Sequence, residues 1–137
     1  MPEQFTVSTS VEKIDRARVH SWLSELSYWA QGRSREVQDA AIDASRNYGV
    51  YDETGSQVAY GRVVTDGVTF GWLCDVFVAP EMRGRGVGKL LVAAVIDDLE
   101  PLNLKRLLLS TGDAHGLYAQ YGFALLEEPS KMMARVR

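Results

Sequence analysis

Seven residues in the middle of the chain combine glycines and cations in a pattern that suits an anion. The segment reads Arg83-Gly84-Arg85-Gly86-Val87-Gly88-Lys89, and apolar residues recur at helical spacing after it, up to Leu99. Glycines leave backbone N–H groups accessible at a helix N-terminus, where the helix dipole adds about half a positive charge. Two arginines and a lysine add full charges beside them. The segment is therefore predicted to bind a phosphate group.

Spacing separates the known kinds of phosphate loop. A P-loop requires Gly, four residues and then Gly-Lys-Ser/Thr, but Arg83 stands five positions before Gly88, and Leu90 follows Lys89. The dinucleotide fingerprint Gly-x-Gly-x-x-Gly fits poorly, because Lys89 stands where its last glycine belongs. A glycine-rich turn without a ligand is a further alternative, although its three neighbouring cations would repel one another. The pattern that fits is Arg-x-x-Gly-x-Gly, at Arg83, Gly86 and Gly88.

The whole chain has the size and composition of one domain. It has 137 residues, 46% of them hydrophobic, which is enough for a core. The net charge of -3 argues against nucleic acid as an obligate partner, because the positive charge is concentrated around the glycines. A single cysteine, Cys74, excludes an internal disulfide and fits a reducing compartment. Without an apolar run of roughly 20 residues or a signal pattern, we expect a cytoplasmic protein that does not enter a membrane.

Apolar periodicity predicts two helices after a short strand at residues 5–8. Thr9-Ser10-Val11-Glu12 has the form of a capping box, which predicts a helix up to Leu26. Ser34 is predicted to cap a second helix that ends near Arg46. The side chains expected to face inward are Val11, Ile14, Trp22, Leu23 and Leu26 in the first helix, and Val37, Ala41 and Ala44 in the second.

The pattern then changes to that of strands. Residues 48–52, 57–65 and 68–78 are predicted to form an antiparallel meander, with Asp66-Gly67 in a hairpin turn. The helix after the glycine segment ends before Pro101. A crossover helix of this length predicts that residues 105–110 form a strand parallel to the one before the glycines.

The end of the chain is predicted to contain a short helix and two more strands. The helix spans residues 113–121 and is halted by Gly122. Residues 123–126 and 131–136 are the predicted strands, separated by Glu127-Glu128-Pro129.

Two segments together resemble the GNAT superfamily of acyl-coenzyme-A-dependent N-acyltransferases. Residues 78–91 are similar to that family's pyrophosphate-binding motif, and residues 114–123, with Tyr118 before Gly122-Phe123, are similar to its later signature. The resemblance implies an α/β (α+β) fold in one domain over residues 1–137. Its mixed sheet would have about six to seven strands, flanked by about four helices, and a splayed pair of parallel strands at the cofactor site. Many members carry Asn where this chain has Thr111, which with Asp113 is also a candidate helix cap.

The resemblance implies transfer of an acetyl group from acetyl-CoA to a primary amine of a small molecule or protein. It implies no metal, and a homodimer is compatible with it. The alternatives are a non-catalytic acyl-CoA-binding sensor or interaction domain with the same fold, and a domain that binds another phosphorylated ligand. The coenzyme-binding residues that it implies are Phe77, Val78, Arg83, Gly84, Arg85, Gly86, Val87, Gly88 and Lys89.

The same resemblance suggests roles for the residues that would do chemistry. The backbone N–H of Val78 would stabilise the oxyanion, and Tyr118 would protonate the departing thiolate, although it could instead pack in the core. Asp75, a carboxylate in an apolar strand, is the candidate base, or else it forms an ion pair with Arg62 or Arg106.

Three aromatic residues and one histidine complete the candidates. Tyr28, Trp29 and Trp72 are predicted to line the pocket for the amine, with ordinary core packing as the alternative. His115 could contact the coenzyme, shuttle a proton or lie on the surface.

Overall fold

Five strands form one sheet in the computed structural model, which describes residues 4–137. Their order is β1-β2-β3-β4-β5; the first four pair antiparallel, and β4 pairs parallel with β5. The predicted meander and the predicted parallel strand are therefore confirmed, whereas the sheet has five strands and not six to seven. The strands are β1 (Thr6–Ser8), β2 (Arg46–Tyr51), β3 (Gln57–Thr65), β4 (Phe70–Val78) and β5 (Arg106–Leu109).

Four α-helices in residues 4–137 cover the two faces of this sheet. They are α1 (Arg16–Ser21), α2 (Arg35–Asp43), α3 (Val87–Leu99) and α4 (His115–Ala119). On one face, Leu91, Val92 and Val95 of α3 pack in a cluster with Tyr118 of α4. On the other face, Val19 of α1, Ile42 of α2 and neighbouring residues pack against Tyr60 and Phe77 of the sheet. The layered α/β architecture expected from the sequence is confirmed.

The prediction of one continuous first helix from a capping box at residues 9–12 is wrong. Residues Val11–Lys13 form a single 3₁₀ turn, and the backbone is extended at Ile14. The helix begins later because the Asp15 carboxylate accepts the N–H of Arg18 at 3.1 Å and caps α1. A π-helical stretch, Trp22–Leu26, then continues it, and this change of pitch leaves Leu26 55% exposed instead of buried.

The second helix is capped by Ser34 as predicted, but it buries a different face. The Ser34 hydroxyl accepts the N–H of Val37 at 3.1 Å. Gln38 and Ile42, four residues apart, are the fully buried side chains, whereas Val37 is 56% exposed and Ala44 is also exposed. The helix ends at Asp43 because the chain must enter β2 at Arg46.

The two closing strands predicted at residues 123–126 and 131–136 are wrong. Only a 3₁₀ turn, Pro129–Lys131, forms in this part of the chain. β-Propensity describes a fit to a pleated and half-buried surface, so apolar residues without a neighbouring strand do not form one. Leu125, Met133 and Val136 are 82%, 94% and 87% exposed.

A β-bulge interrupts the pairing of β3 with β4. Tyr60 lies opposite Phe77 and Arg62 opposite Cys74, so that β4 contains one more residue than β3 over this stretch. Asp75 occupies the bulge with a φ of 55°, a left-handed conformation that is uncommon outside glycine.

Two features are absent from residues 4–137. No helix there has the length and hydropathy needed to cross a bilayer. No group of three or more His, Cys, Asp or Glu side chains there could hold a metal ion.

Candidate active site

A cleft opens where β4 and β5 stop pairing. The two strands pair from Phe70 with Arg106 to Leu73 with Leu109, after which β5 ends and β4 continues to Val78. The space that this leaves beside β4 has a volume of about 660 Å³ and is bounded by β4, by the chain around α4 and by the connection between α1 and α2. The splayed pair of parallel strands expected from the sequence is therefore present.

The backbone of Val78 is directed into this cleft. The N–H of Ala79 donates to Val58 O at 2.9 Å, so Val78 and its partner Ala59 form a pair that exchanges no hydrogen bonds. The N–H and C=O of Val78 consequently point away from β3, towards the side where β5 has ended. The carbonyl oxygen accepts a hydrogen bond from Arg83 Nε at 3.1 Å.

The glycine segment forms the entry into α3 and has the properties of an anion site. Gly84 and Gly86 have φ values of 81° and 80°, which residues with a Cβ adopt at a cost, and Gly86 is the N-cap. No side chain caps this end, so the first N–H groups of the 13-residue helix are left for a ligand or water. Lys89 lies exposed in the first turn.

Members of the predicted coenzyme-binding set contribute differently. Val87 is buried in the core, so that only its backbone can meet a ligand. Phe77 is buried and stacks on Trp22 at 5.8 Å, and the guanidinium of Arg83 lies 5.1 Å from its ring centre. The residues of the set that line the cleft are Phe77, Val78, Arg83 and Gly88. The loop residues Gly84, Arg85 and Gly86 are exposed.

Tyr118 reaches the cleft from α4. Its ring is 7% exposed and packs edge-to-face on Phe123 at 5.8 Å. Tyr118 lines the cleft, and its hydroxyl has no hydrogen-bond partner among residues 4–137. Burial, with the nearby charge of Asp113, raises the pKa of Tyr118 to about 12, so the hydroxyl keeps its proton at neutral pH.

Asp75 is buried and fully engaged by donors. Its Oδ2 accepts from Arg33 and from Arg62, both at 2.7 Å, and its Oδ1 accepts from Trp29 Nε1 at 2.9 Å. Burial alone would raise its pKa, but the bonds from the two arginines outweigh burial and lower the pKa of Asp75 below its usual value. These contacts favour the ion-pair alternative over a base, with Arg33 and Arg62 as the partners and not Arg106.

The connection between α1 and α2 forms another wall of the cleft. Tyr28 and Trp29 meet edge-to-face at 4.9 Å and are 62% and 42% exposed, so neither is a core side chain. The Tyr28 hydroxyl accepts the N–H of Gly112 at 2.9 Å, which ties this connection to the loop before α4. Trp72 of β4 also lines the cleft.

The remaining candidates have simpler surroundings. Thr111 Oγ1 accepts the N–H of Ala114 at 3.0 Å, which stabilises the entry into α4 as a cap would. His115 is exposed and is not among the residues that line the cleft. Cys74 lines the cleft half-buried, and burial raises the pKa of its thiol.

Sequence reasoning missed Arg33 and Gly112. Arg33 is 42 residues from Asp75 in the chain, and Gly112 is 84 residues from Tyr28. No spacing rule connects positions so far apart. The one available signal was the carboxylate of Asp75 in an apolar strand, which required a partner without identifying it.

Comparison with known proteins defines the class of protein that this fold and cleft belong to. The model of the Acetyltransferase (GNAT) family matches residues 15–123, and the chain belongs to this family. A candidate GNAT acetyltransferase from Xanthomonas campestris pv. campestris, solved by crystallography, is 41% identical with a TM-score of 0.92, over 98% of this chain and 94% of that one.

More distant relatives agree. A candidate acetyltransferase of Gibberella zeae is 27% identical in an alignment of 135 positions that covers 85% of this chain and 76% of the relative. A Mycobacterium tuberculosis protein solved in complex with CoA shares the fold, with a TM-score of 0.74 and 19% identity over 89% of this chain and 73% of that one.

Proposed function

We propose that the protein transfers an acetyl group from acetyl-CoA to a primary amine. The observation that carries this proposal is the cleft itself: the Val78 backbone and the Tyr118 side chain reach the same space, beside the uncapped N-terminus of α3. A thioester of a phosphorylated carrier needs an anion site for its phosphates. It also needs a backbone N–H for the carbonyl oxygen and a protonated hydroxyl for the departing sulfur. Family membership and the CoA-bound fold relative support the same assignment.

The coenzyme would be held by backbone and charge. The N–H groups at the start of α3 would bind the pyrophosphate, with Arg83 beside them. The exposed edge of β4 up to Val78 would hydrogen-bond the pantetheine arm, as a sheet edge bonds an added strand. Acetyl-CoA would supply a thioester carbonyl for the amine to attack.

Two groups of this chain would act on that reaction. The Val78 N–H would donate to the thioester carbonyl oxygen as negative charge develops there. Tyr118 would give its proton to the sulfur as the C–S bond breaks and the new C–N bond forms. The amine must lose a proton first, and water in the open cleft can take it. The prediction of Asp75 as the base stays a prediction, which substitution by Asn decides.

Thiol release from acetyl-CoA in the presence of a broad panel of amines tests the proposal. Release above the amine-free rate, and its loss in Tyr118→Phe, would support it. If release stays at background while coenzyme A still raises the Tm, the protein is a non-catalytic coenzyme-binding domain. If nucleotides raise the Tm and coenzyme A does not, the site binds a different phosphorylated ligand.

A further inference from the structure

The acceptor end of the cleft offers carbon surfaces and few polar groups. Tyr28 and Trp29 are exposed and line it, and Trp72 of β4 lines the same cleft. The polar atom of Tyr28 is already bonded to Gly112, and that of Trp29 to Asp75. Both side chains therefore present their rings, not their hydroxyl or N–H, to an incoming molecule.

The described residues that line this end of the cleft carry no positive charge, which disfavours an acidic acceptor. Arg83 is the one cation among the described residues that line the cleft, and it lies at the α3 end, over Phe77. Arg33 is bound to Asp75, outside the lining. A phosphate or carboxylate on the acceptor would thus find no cation to pair with.

The two carboxylates that line the cleft differ in what they offer an amine. Asp75 is neutralised by its arginines and cannot attract a second cation strongly. Asp113 is exposed at the rim and forms no ion pair with any residue of 4–137. A single carboxylate can pair with one ammonium group, whereas a polyamine or a basic peptide carries several positive charges.

We infer that the acceptor is a primary amine on a flat apolar body, of the arylalkylamine class; this rests on the proposed acetyl transfer. The body would lie among Tyr28, Trp29 and Trp72, and the amine would point towards Tyr118. Aromatic rings pair favourably with one another in offset-stacked or edge-to-face contact, which an aromatic body on the acceptor can make with these side chains.

The test compares 2-phenylethylamine with ethylamine, spermidine and glutamate in the thiol-release assay. We expect kcat/KM for 2-phenylethylamine to exceed that for ethylamine by roughly tenfold or more. Tyr28→Ala should remove most of this ratio, and the matched Tyr28→Phe, which keeps the ring, should retain it. Equal values for the two monoamines, or a preference for spermidine or glutamate, would overturn the inference and leave acetyl transfer standing.

A second measurement does not depend on turnover. 2-Phenylethanol has the same body without an amine, so its binding in the presence of coenzyme A can be followed by calorimetry. Binding to the unchanged protein and to Tyr28→Phe, but not to Tyr28→Ala, supports an aromatic acceptor site even if no amine is acetylated. Absence of binding to the unchanged protein argues against it.

Discussion

Asp75→Asn separates a structural anchor from a catalytic base. The carboxylate joins three parts of the chain, since its donors are Trp29 and Arg33 from the α1–α2 connection and Arg62 from β3. Asparagine preserves the shape and an oxygen for Trp29. It removes the negative charge and turns an N–H₂ group towards both arginines, which donate to the same oxygen.

The cost follows from burial. The Asp75 side chain is 2% exposed, and those of Arg33 and Arg62 are 20% and 15% exposed. Removing one partner of a buried ion pair typically costs about 3–5 kcal/mol. Because the arginines keep some access to water, we expect a loss of about 3 kcal/mol in the free energy of unfolding, at the lower end of that range.

Urea unfolding at several pH values measures the loss and its origin. The folded-state pKa of Asp75 lies below its usual value, so its stabilisation is fully present above the unfolded pKa of about 3.9 and is lost as pH falls through the folded pKa. The difference between the two proteins should be constant from about pH 5 to 8 and shrink below about pH 4.

Asp39→Asn is the matched control. Asp39 also lies between two arginines, Arg16 and Arg35, but its side chain is 34% exposed, so its loss should cost about 1 kcal/mol or less. An Asp75→Asn protein as stable as the Asp39→Asn protein would refute the structural role of Asp75. If that stable protein also lost turnover by about 10²-fold or more, Asp75 would be the base after all.

The other predictions concern the coenzyme and the reaction. Tyr118→Phe should lower kcat by about 10²-fold or more with the coenzyme Kd nearly unchanged; an unaltered kcat would remove Tyr118 as the acid. Because the pKa of Tyr118 is raised to about 12, kcat should show no alkaline decline from tyrosine ionisation between pH 8 and 10, which a pH–rate profile checks. Gly86→Ala and Gly55→Ala should each cost about 1–2 kcal/mol in stability, since both glycines have positive φ and open space at the Cβ position. Only Gly86→Ala should weaken coenzyme binding, measured by calorimetry; equal Kd values would exclude phosphate at this loop.

Local patterns predicted the parts of the fold whose burial is periodic. The meander, the helix after the glycine segment and the parallel fifth strand each had a long apolar pattern with clear end signals, and each was confirmed. The first helix was harder to predict, because a side-chain cap at Asp15 and a change to π-helical pitch at Trp22 shift the buried face without altering the apolar content. The closing strands failed because a strand needs a neighbour, which one chain's sequence does not specify.

The sequence predicted those parts of the site whose residues lie together in one motif. The glycine segment and Tyr118 lie in contiguous signatures, so sequence alone indicated them. The ties that shape the acceptor end join Tyr28 to Gly112 and Asp75 to Arg33, and both depend on how the sheet and its connections fold together. Tertiary structure brings these partners together, which explains why the acceptor end of the cleft was less predictable than the anion site.

The bulge at Asp75 connects the anchor to the proposed chemistry. In regular antiparallel pairing, alternate residues of β4 direct their N–H and C=O towards β3. The extra residue between Cys74 and Phe77 reverses that alternation, so that Phe77 bonds β3 and Val78 faces the cleft. Without the bulge the Val78 N–H would bond β3 and could not donate to the proposed thioester. The three donors that hold Asp75 at a φ of 55° therefore also hold the Val78 N–H in position, although Asp75 itself need never touch the substrate.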